Sequence, residues 1–482
     1  MIDRPLVQRN KALARTLLYL LPLLLAGTIL AFVEIADRLG FDLDWETGFE
    51  DEPSVLLLQQ YLQINTSYLD GDELAGARFL VDELEKTGVA VNLEQIGDRN
   101  AVVWAILEGR DPGLLVLHSH IDTEPVLRPE AWRHPPFAGI IEGPFIFGRG
   151  AFDMKSVTIA QLMAFQAVAA SGEKPEVSLM FLATGDEERG SWLGTRWWLE
   201  QHPELAERMD AVLTEGGAVE AVELDDVKYW GTEFGQKYFV DIWVCDSSRE
   251  RLEVLRDQLV AEGQGVLRSP SPEVAQYLRA YGPSRSRGEL RHLLATPETM
   301  LDMPEAVVLT RRIKALIQNS LVAFPIEEDS AGGYQMRLIL HLLPGVTLEE
   351  GLEELIPDRL HGFTHSFEIQ HPPIPFSPLD HWVYQGIDRG MATLRPDATH
   401  GPLVIPWSAS DARYFRARGI PAYGFSPFVI LSGDSIRMRS ANERLAVPPF
   451  VEGVELYVEL IRQLVAEPRP AVPAEPALAP GG

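Results

Sequence analysis

The sequence predicts an α/β protein with a mostly parallel sheet, into which a smaller α+β region is inserted. Short apolar runs alternate with segments of helical periodicity over residues 54–220, a pattern typical of parallel sheets covered by helices on both faces. From about residue 229 the strands alternate in polarity and the helices are amphipathic, and from about residue 379 the first pattern returns. The 482 residues are too many for one compact core.

The first α/β region contains four helices and four strands that can be predicted from periodicity. Helices are predicted at 54–62, 73–87, 154–171 and 193–201, and strands at 101–107, 114–117, 177–183 and 211–214. The strands are continuous apolar runs, which is what burial on both faces of a parallel sheet requires.

The remaining elements belong to the inserted region and to the second α/β part of the chain. The predicted strands are 238–244, 335–342, 403–406 and 422–425, and the predicted helices are 249–262, 305–321, 348–355, 379–394, 409–418 and 448–465. Residues 263–304 are predicted to form an irregular, elaborated loop. The domains are therefore 1–50 (membrane anchor and linker), 51–225 and 375–465 (two parts of the catalytic domain), 229–358 (the insert) and 467–482 (a disordered tail rich in Pro and Ala).

The N-terminus predicts the compartment. Residues 16–33 are uncharged and leucine-rich, and basic residues precede them. About 18 apolar residues is the lower limit for a membrane span, and the basic flank favours the cytoplasmic side. We expect a single-pass N-terminal transmembrane helix, with the catalytic domain on the non-cytoplasmic side. A cleaved signal peptide and a soluble helix are the alternatives.

Composition excludes some partners. The net charge of −28 argues against nucleic acid, whose phosphates would be repelled. A single cysteine, Cys245, cannot form an intrachain disulfide.

Acidic residues and one histidine gather at the ends of predicted strands. His120 and Asp122 follow one apolar run, Glu187 and Glu188 follow the next, and Glu215 ends a third. Asp153 lies in a glycine-containing loop. Each could be an ordinary turn or capping residue by itself. Because four loops carry such groups at strand ends, the sequence predicts a metal-hydrolase site.

The motifs that contain these residues resemble a known family. They read His-Ser-His-Ile-Asp-Thr-Glu-Pro at 118–125, Trp-Arg-His-Pro-Pro-Phe at 132–137, Gly-Arg-Gly-Ala-Phe-Asp-Met-Lys at 148–155, Gly-Asp-Glu-Glu-Arg-Gly at 185–190 and Leu-Thr-Glu-Gly-Gly at 213–217. They are similar to the co-catalytic zinc peptidases that include carboxypeptidase S, glutamate carboxypeptidase, aminoacylase and succinyl-diaminopimelate desuccinylase, and most similar to the carboxypeptidase S branch.

This resemblance implies a zinc-peptidase catalytic domain with a ferredoxin-like lid or dimerisation insert, so that a homodimer is expected. It also implies an amide-bond hydrolase acting on a small peptide or an N-acyl amino acid. His120 and Glu215 would bind one zinc ion, Glu188 would bind a second, and Asp153 would bridge the two. Asp122 would orient His120, and Glu187 would be the general base that takes a proton from metal-bound water.

The chain departs from the family pattern at three positions. Arg439 stands in Met-Arg-Ser-Ala-Asn-Glu-Arg at 438–444, where the family has a histidine ligand, and arginine cannot bind a metal. Asp246 stands where the family has an oxyanion-stabilising histidine, and His341 stands where it has an arginine. One or two zinc ions are therefore expected, with one complete site.

Two interpretations remain open from the sequence. One is a membrane-anchored metal-dependent hydrolase, and the other is a pseudoenzyme or binding module with a degenerate second metal site. Replacement ligands for that site could come from His365, His371 or His400.

Overall fold

The strands and helices come from a computed structural model that describes residues 48–221, 227–262, 265–285, 288–329, 332–369, 374–431 and 438–469. The strands among these residues are β1 Val91–Ile96, β2 Asn100–Leu107, β3 Asp111–His120, β4 Ile140–Glu142, β5 Phe145–Phe147, β6 Val177–Thr184, β7 Met209–Thr214, β8 Ala218–Ala221, β9 Val227–Gln236, β10 Tyr238–Asp246, β11 Ser320–Glu328, β12 Tyr334–Leu342, β13 Thr364–Ile369, β14 His400–Ile405, β15 Ala422–Gly424, β16 Val429–Leu431 and β17 Arg444–Ala446. The helices are α1 Pro53–Leu62, α2 Glu73–Glu85, α3 Lys155–Ala170, α4 Thr195–Gln201, α5 Pro203–Ala206, α6 Arg249–Glu262, α7 Pro272–Tyr281, α8 Gly288–Ala295, α9 Arg311–Leu316, α10 Leu348–Leu355, α11 Trp382–Leu394, α12 Ala412–Ala417 and α13 Val447–Ala466.

A large mixed sheet forms the centre of the α/β region. Its strand order is β1-β2-β6-β3-β7-β15-β9-β8-β16, and β14 pairs with β9. The neighbours β6, β3, β7 and β15 are parallel to one another. All eight residues of β6 are buried, as the continuous apolar run from Val177 predicts. The predicted α/β fold with a mostly parallel sheet is confirmed.

A second, four-stranded sheet lies in the middle of the chain, in the order β11-β12-β10-β13 with every pair antiparallel. The chain order is strand, helix, strand, strand, helix, strand, with α6 after β10 and α10 after β12. This is the arrangement of ferredoxin-like units. One buried apolar cluster, containing Val240, Leu252 and Leu340, joins this sheet to its helices.

The prediction that residues 263–304 form an irregular loop is wrong. They contain α7 and α8, and α7 packs against β14 of the main sheet. The Tyr281 ring lies edge-on to the ring of Tyr229 on β9, with centroids 5.2 Å apart. Pro272 begins α7 after a Ser271 cap that accepts from the backbone N–H of Val274, so prolines and polar residues that suggest a loop serve here as helix ends. The helix predicted at 305–321 shortens to α9, because β11 begins at Ser320.

The predicted membrane localisation is corrected. Within the described ranges of the chain, none of the helices is both long enough and apolar enough to cross a bilayer. The segment 16–33, on which the predicted single-pass anchor and the non-cytoplasmic catalytic domain depended, lies outside the described residues, as does the tail from 470 onward.

Candidate metal centre

The carboxyl ends of the central parallel strands bring the predicted site residues together. His120 is the last residue of β3, Glu187 and Glu188 lie in a short 3-10 turn just after β6, and Glu215 follows β7. Asp153 precedes α3. Because neighbouring parallel strands end at the same edge of the sheet, these loops meet in one place.

His120 is the centre of a three-residue cluster. Its Nε2 lies 3.2 Å from Asp153 Oδ1 and 3.8 Å from Glu215 Oε2. The side chains of His120 and Asp153 are 1% and 6% exposed, whereas that of Glu215 is 17% exposed. The cluster is therefore nearly enclosed and reaches solvent on the Glu215 side.

Asp122 connects the histidine to the turn that carries the glutamates. Its backbone carbonyl accepts a hydrogen bond from His120 Nδ1 at 2.9 Å. Its carboxylate oxygens accept from the backbone N–H groups of Glu187 at 3.0 Å and Glu188 at 2.9 Å. A carbonyl can only accept, so Nδ1 carries a proton, and Nε2 is the ring nitrogen that faces the carboxylates of Asp153 and Glu215.

The segment 438–444 is distant from the other site residues in the sequence but lies against the site in the fold. The buried Glu443 carboxylate accepts from the backbone N–H groups of Phe152 at 3.0 Å and Asp153 at 3.2 Å, and from Arg149 Nη1 at 2.6 Å. Asn442 Oδ1 accepts from the Arg133 backbone N–H at 2.6 Å. These bonds hold the segment against the loop that contains Asp153.

Arg439 therefore points into the centre. Its Nε donates to Asp153 Oδ2 at 2.8 Å, and its Nη2 lies 3.0 Å from Glu188 Oε2 and 4.0 Å from Glu187 Oε2. The Arg439 side chain is 40% exposed. It lies across three carboxylates and has one side open to solvent.

The electrostatics of the cluster show a shortage of positive charge. Burial raises the pKa of the Glu187 carboxyl to about 8, with a further contribution from Glu215 and an opposing one from Arg413. Burial and the nearby Asp153 raise the pKa of Glu188 well above its ordinary value. Burial acts on Asp153 in the same direction, but Arg439 and His120 hold its pKa well below the usual range. Carboxyl groups that resist ionisation in this way mark a place for a cation.

The residues at this position fit a zinc ion. One imidazole nitrogen and two carboxylates are the ligand types and the number that catalytic zinc sites use. The hydrogen bond from His120 Nδ1 fixes the ring so that Nε2 is turned toward Asp153 and Glu215, as outer-shell contacts do in metal sites. Glu188 lies beside this set. Both of its carboxylate oxygens are buried without a hydrogen bond, and the charge that faces them is the Arg439 guanidinium, 3.0 Å from Oε2.

The other sequence candidates lie elsewhere. Asp246 accepts from the Ser248 backbone N–H and pairs with Arg251 just before α6, where Ser248 Oγ accepts from the Arg251 backbone N–H and caps the helix. The His341 ring faces Phe239 with centroids 4.6 Å apart, inside the second sheet. His365 is exposed on β13, and His400 Nε2 lies 3.2 Å from the Asp388 carbonyl. Among the described residues, neither His365 nor His400 belongs to a group of side chains that could hold a metal. His371 lies outside the described residues.

Sequence reasoning missed a polar network behind the centre. Asp411 accepts from Thr195 Oγ1 at 2.5 Å and from Ser191 Oγ, and Thr195 Oγ1 in turn contacts His118 Nε2 at 2.9 Å. Arg413 Nη1 lies 3.7 Å from Glu187 Oε1. Asp411 and Arg413 both lie in the motif Ser-Ala-Ser-Asp-Ala-Arg at 408–413, but nothing in that motif identifies Thr195 or Glu187 as their partners.

Comparisons with known proteins agree with this geometry. The sequence profile described as Peptidase family M20/M25/M40 matches residues 116–463. Aminoacylase-1B of Rattus norvegicus is 26% identical over 445 residues, which is 88% of this chain and 98% of that protein. The M20 family metallo-carboxypeptidase Sso-CP2 of Sulfolobus solfataricus has a similar fold, with a TM-score of 0.66, 18% identity, and coverage of 86% of this chain and 99% of that one. Human carnosine dipeptidase 1 gives a TM-score of 0.61 and 16% identity, with coverage of 87% and 98%.

Proposed function

Because the chain belongs to the peptidase family M20/M25/M40, whose members matched here indicate a metal-dependent amidohydrolase, we propose that it hydrolyses an amide bond in an N-acyl amino acid or at the C-terminus of a small peptide. The names of the relatives support this substrate class, since they include an aminoacylase and a dipeptidase. One observation carries the proposal. His120, Asp153 and Glu215 form a three-donor cluster beside Glu187, a buried carboxylate with no metal-ligand role in that set.

The residues of the site have separate roles in this reaction: metal binding, positioning and proton transfer. A zinc ion held by His120, Asp153 and Glu215 would supply Lewis-acid chemistry, lowering the pKa of a water molecule and polarising a carbonyl group. Asp122 holds the His120 ring and the Glu187 turn in fixed positions. Glu187 takes the proton of the attacking water and passes it to the leaving nitrogen, which becomes an amine.

Arg413 and Glu215 set the proton affinity of Glu187 from opposite directions. The Arg413 guanidinium, 3.7 Å from Glu187 Oε1, favours the carboxylate, whereas burial and Glu215 favour the neutral acid. The Glu187 pKa of about 8 reflects the protein groups alone. The positive charge of a zinc ion beside it would lower that pKa toward the working pH, where a general base is most effective.

The test is turnover by zinc-loaded protein on a panel of N-acyl amino acids and dipeptides. Glu187→Gln should lower kcat by about 100-fold or more, as expected for a lost general base, and should keep its zinc. Glu204→Gln is the matched control, since Glu204 is 68% exposed on α5, and it should hydrolyse like the wild type.

A second function, ligand binding without turnover, is favoured by Arg439 among the acidic side chains and by Asp246, whose carboxylate is engaged by the Ser248 backbone N–H and by Arg251. Folded, zinc-loaded wild type that hydrolyses nothing on the panel, but whose melting temperature rises with an N-acyl amino acid, would favour this binding function over the hydrolase.

A further inference from the structure

The acidic groups of the centre offer one complete metal position. Among the described residues, two sets of donors have atoms within 4.8 Å of one another: His120, Asp153 and Glu215, and His120, Glu187 and Glu188. Both sets need the same His120 ring. Its Nδ1 is engaged by the Asp122 carbonyl, so one nitrogen must serve both. The two sets therefore cannot hold two three-ligand ions at once.

The space on the far side of Asp153 already contains a cation. Asp153 Oδ1 faces His120, and Asp153 Oδ2 accepts from Arg439 Nε. Glu188 pairs with Arg439 Nη2 at 3.0 Å. The guanidinium thus contacts the two carboxylates that a second ion beside the first would need, and it stays protonated at every physiological pH.

The backbone holds Arg439 in this place. Its φ of 61° is left-handed, which is uncommon for a residue with a side chain. Its carbonyl accepts from Arg149 Nη2 at 3.4 Å, and the neighbouring Asn442 and Glu443 are tied to the loops at 131–133 and 149–153. A surface arginine with freedom to turn away would have none of these restraints.

We propose that the Arg439 guanidinium replaces a second metal ion, so that each chain binds a single zinc ion tightly and Arg439 supplies the fixed counter-charge for Asp153 and Glu188. The inference rests on the proposed metal-dependent function, but it concerns the number of ions and does not require turnover. In this arrangement Arg439 is a positioning residue. Its contacts with Asp153 Oδ2 and Glu188 Oε2 hold both carboxylates in place while no second ion is present.

The experiment counts zinc per chain by elemental analysis after removal of weakly bound metal. Wild type and Arg439→Lys should hold one ion, because both keep a positive charge. Arg439→His should hold two, because an added imidazole completes a set with Asp153 and Glu188. Arg110→His is the matched control, since Arg110 is 62% exposed and pairs with Glu176 away from the centre, and it should hold one. Two tightly bound ions in the wild type, or one in a folded Arg439→His protein, would overturn the proposal.

A second measurement keeps the test decisive if Arg439→His does not fold. In chelator, Arg439→Gln should melt below the wild type, and Arg439→Lys should melt closer to it, because only the glutamine leaves the carboxylates without a positive charge. Equal melting temperatures for all three proteins would mean that the guanidinium does not neutralise the site. A wild type with one ion and no hydrolysis would refute the proposed function alone, whereas an active wild type with two ions would refute this inference alone.

Discussion

At the scale of single residues, Asp122 does more than orient a ligand. Its side chain is fully buried, both of its oxygens accept backbone N–H groups, and its own carbonyl fixes His120. One residue therefore sets the direction of His120 Nε2, the nitrogen proposed to bind zinc, and the position of the turn that carries Glu187. Metal affinity and the placement of the base should depend on it together.

Asp122→Asn tests this double role. The amide can accept from only one of the two N–H groups and presents a donor to the other, so a buried N–H loses its partner. We expect the free energy of unfolding in chelator to fall by about 1–3 kcal/mol, with weaker zinc binding by calorimetry. Asp72→Asn is the control, because Asp72 caps α2 with one oxygen, at 3.1 Å from the Ala75 nitrogen, and asparagine caps equally well. An Asp122→Asn protein that unfolds like the wild type would contradict the double role.

At the scale of elements, the second sheet buries a histidine next to a lysine. His341 on β12 is 9% exposed, and Lys237, which precedes β10, is 1% exposed and donates to the Gln318 carbonyl. Burial and the Lys237 charge lower the pKa of His341 to about 4. The folded sheet therefore holds His341 neutral under conditions in which an unfolded chain would protonate it.

This makes the stability of the second sheet depend on pH. Between about pH 4 and about pH 6.5 the unfolded chain binds one more proton at His341 than the folded chain, so stability falls as pH falls through that window. We compare the wild type with His341→Phe by the difference between their free energies of unfolding, wild type minus variant. This difference should be about 2 kcal/mol smaller at pH 5 than at pH 7. Denaturant unfolding at both pH values measures it.

The control for this prediction is His365→Phe on the exposed face of β13, which should keep the pH dependence of the wild type. If His341→Phe also kept it unchanged, the protonation of His341 would not be linked to unfolding.

At the scale of the whole molecule, the sequence predicted the central strands of the main sheet well, but it missed β1, β8, β9 and β16 of that sheet and predicted the insert less well. The runs that form β6 and β7 are almost entirely apolar, and the predicted ranges 177–183 and 211–214 differ from the observed strands by one or two residues. Burial on both faces leaves little choice of residue type there. Helices α7 and α8 are short and begin at Pro272 and Gly288, so their apolar residues are too few for periodicity to outweigh the turn-forming residues.

The metal centre was predictable to the extent that its residues follow apolar runs. His120 ends β3, Glu187 lies in the turn after β6 and Glu215 directly follows β7. Parallel pairing brings those strand ends together. The roles of Glu443 and Asp411 were not visible, because their partners, the Asp153 backbone and Thr195, lie more than 200 residues away in the sequence. No local pattern encodes such a contact.

Assembly of the centre from distant segments couples metal binding to folding of the main sheet. His120, Asp153 and Glu215 come from three loops, and unfolding separates all three. An ion that binds only the folded chain adds RT ln(1 + [L]/Kd) to stability, about 2.7 kcal/mol at a free zinc concentration 100-fold above Kd. The free energy of unfolding of the wild type, measured by chemical denaturation, should be higher with zinc than with chelator by this amount. His120→Ala should lose nearly all of it, whereas His134→Ala should retain it, because His134 pairs with Glu142 outside the donor cluster. An equal zinc-dependent gain in His120→Ala would place the stabilising ion away from His120 and contradict the assignment of this centre.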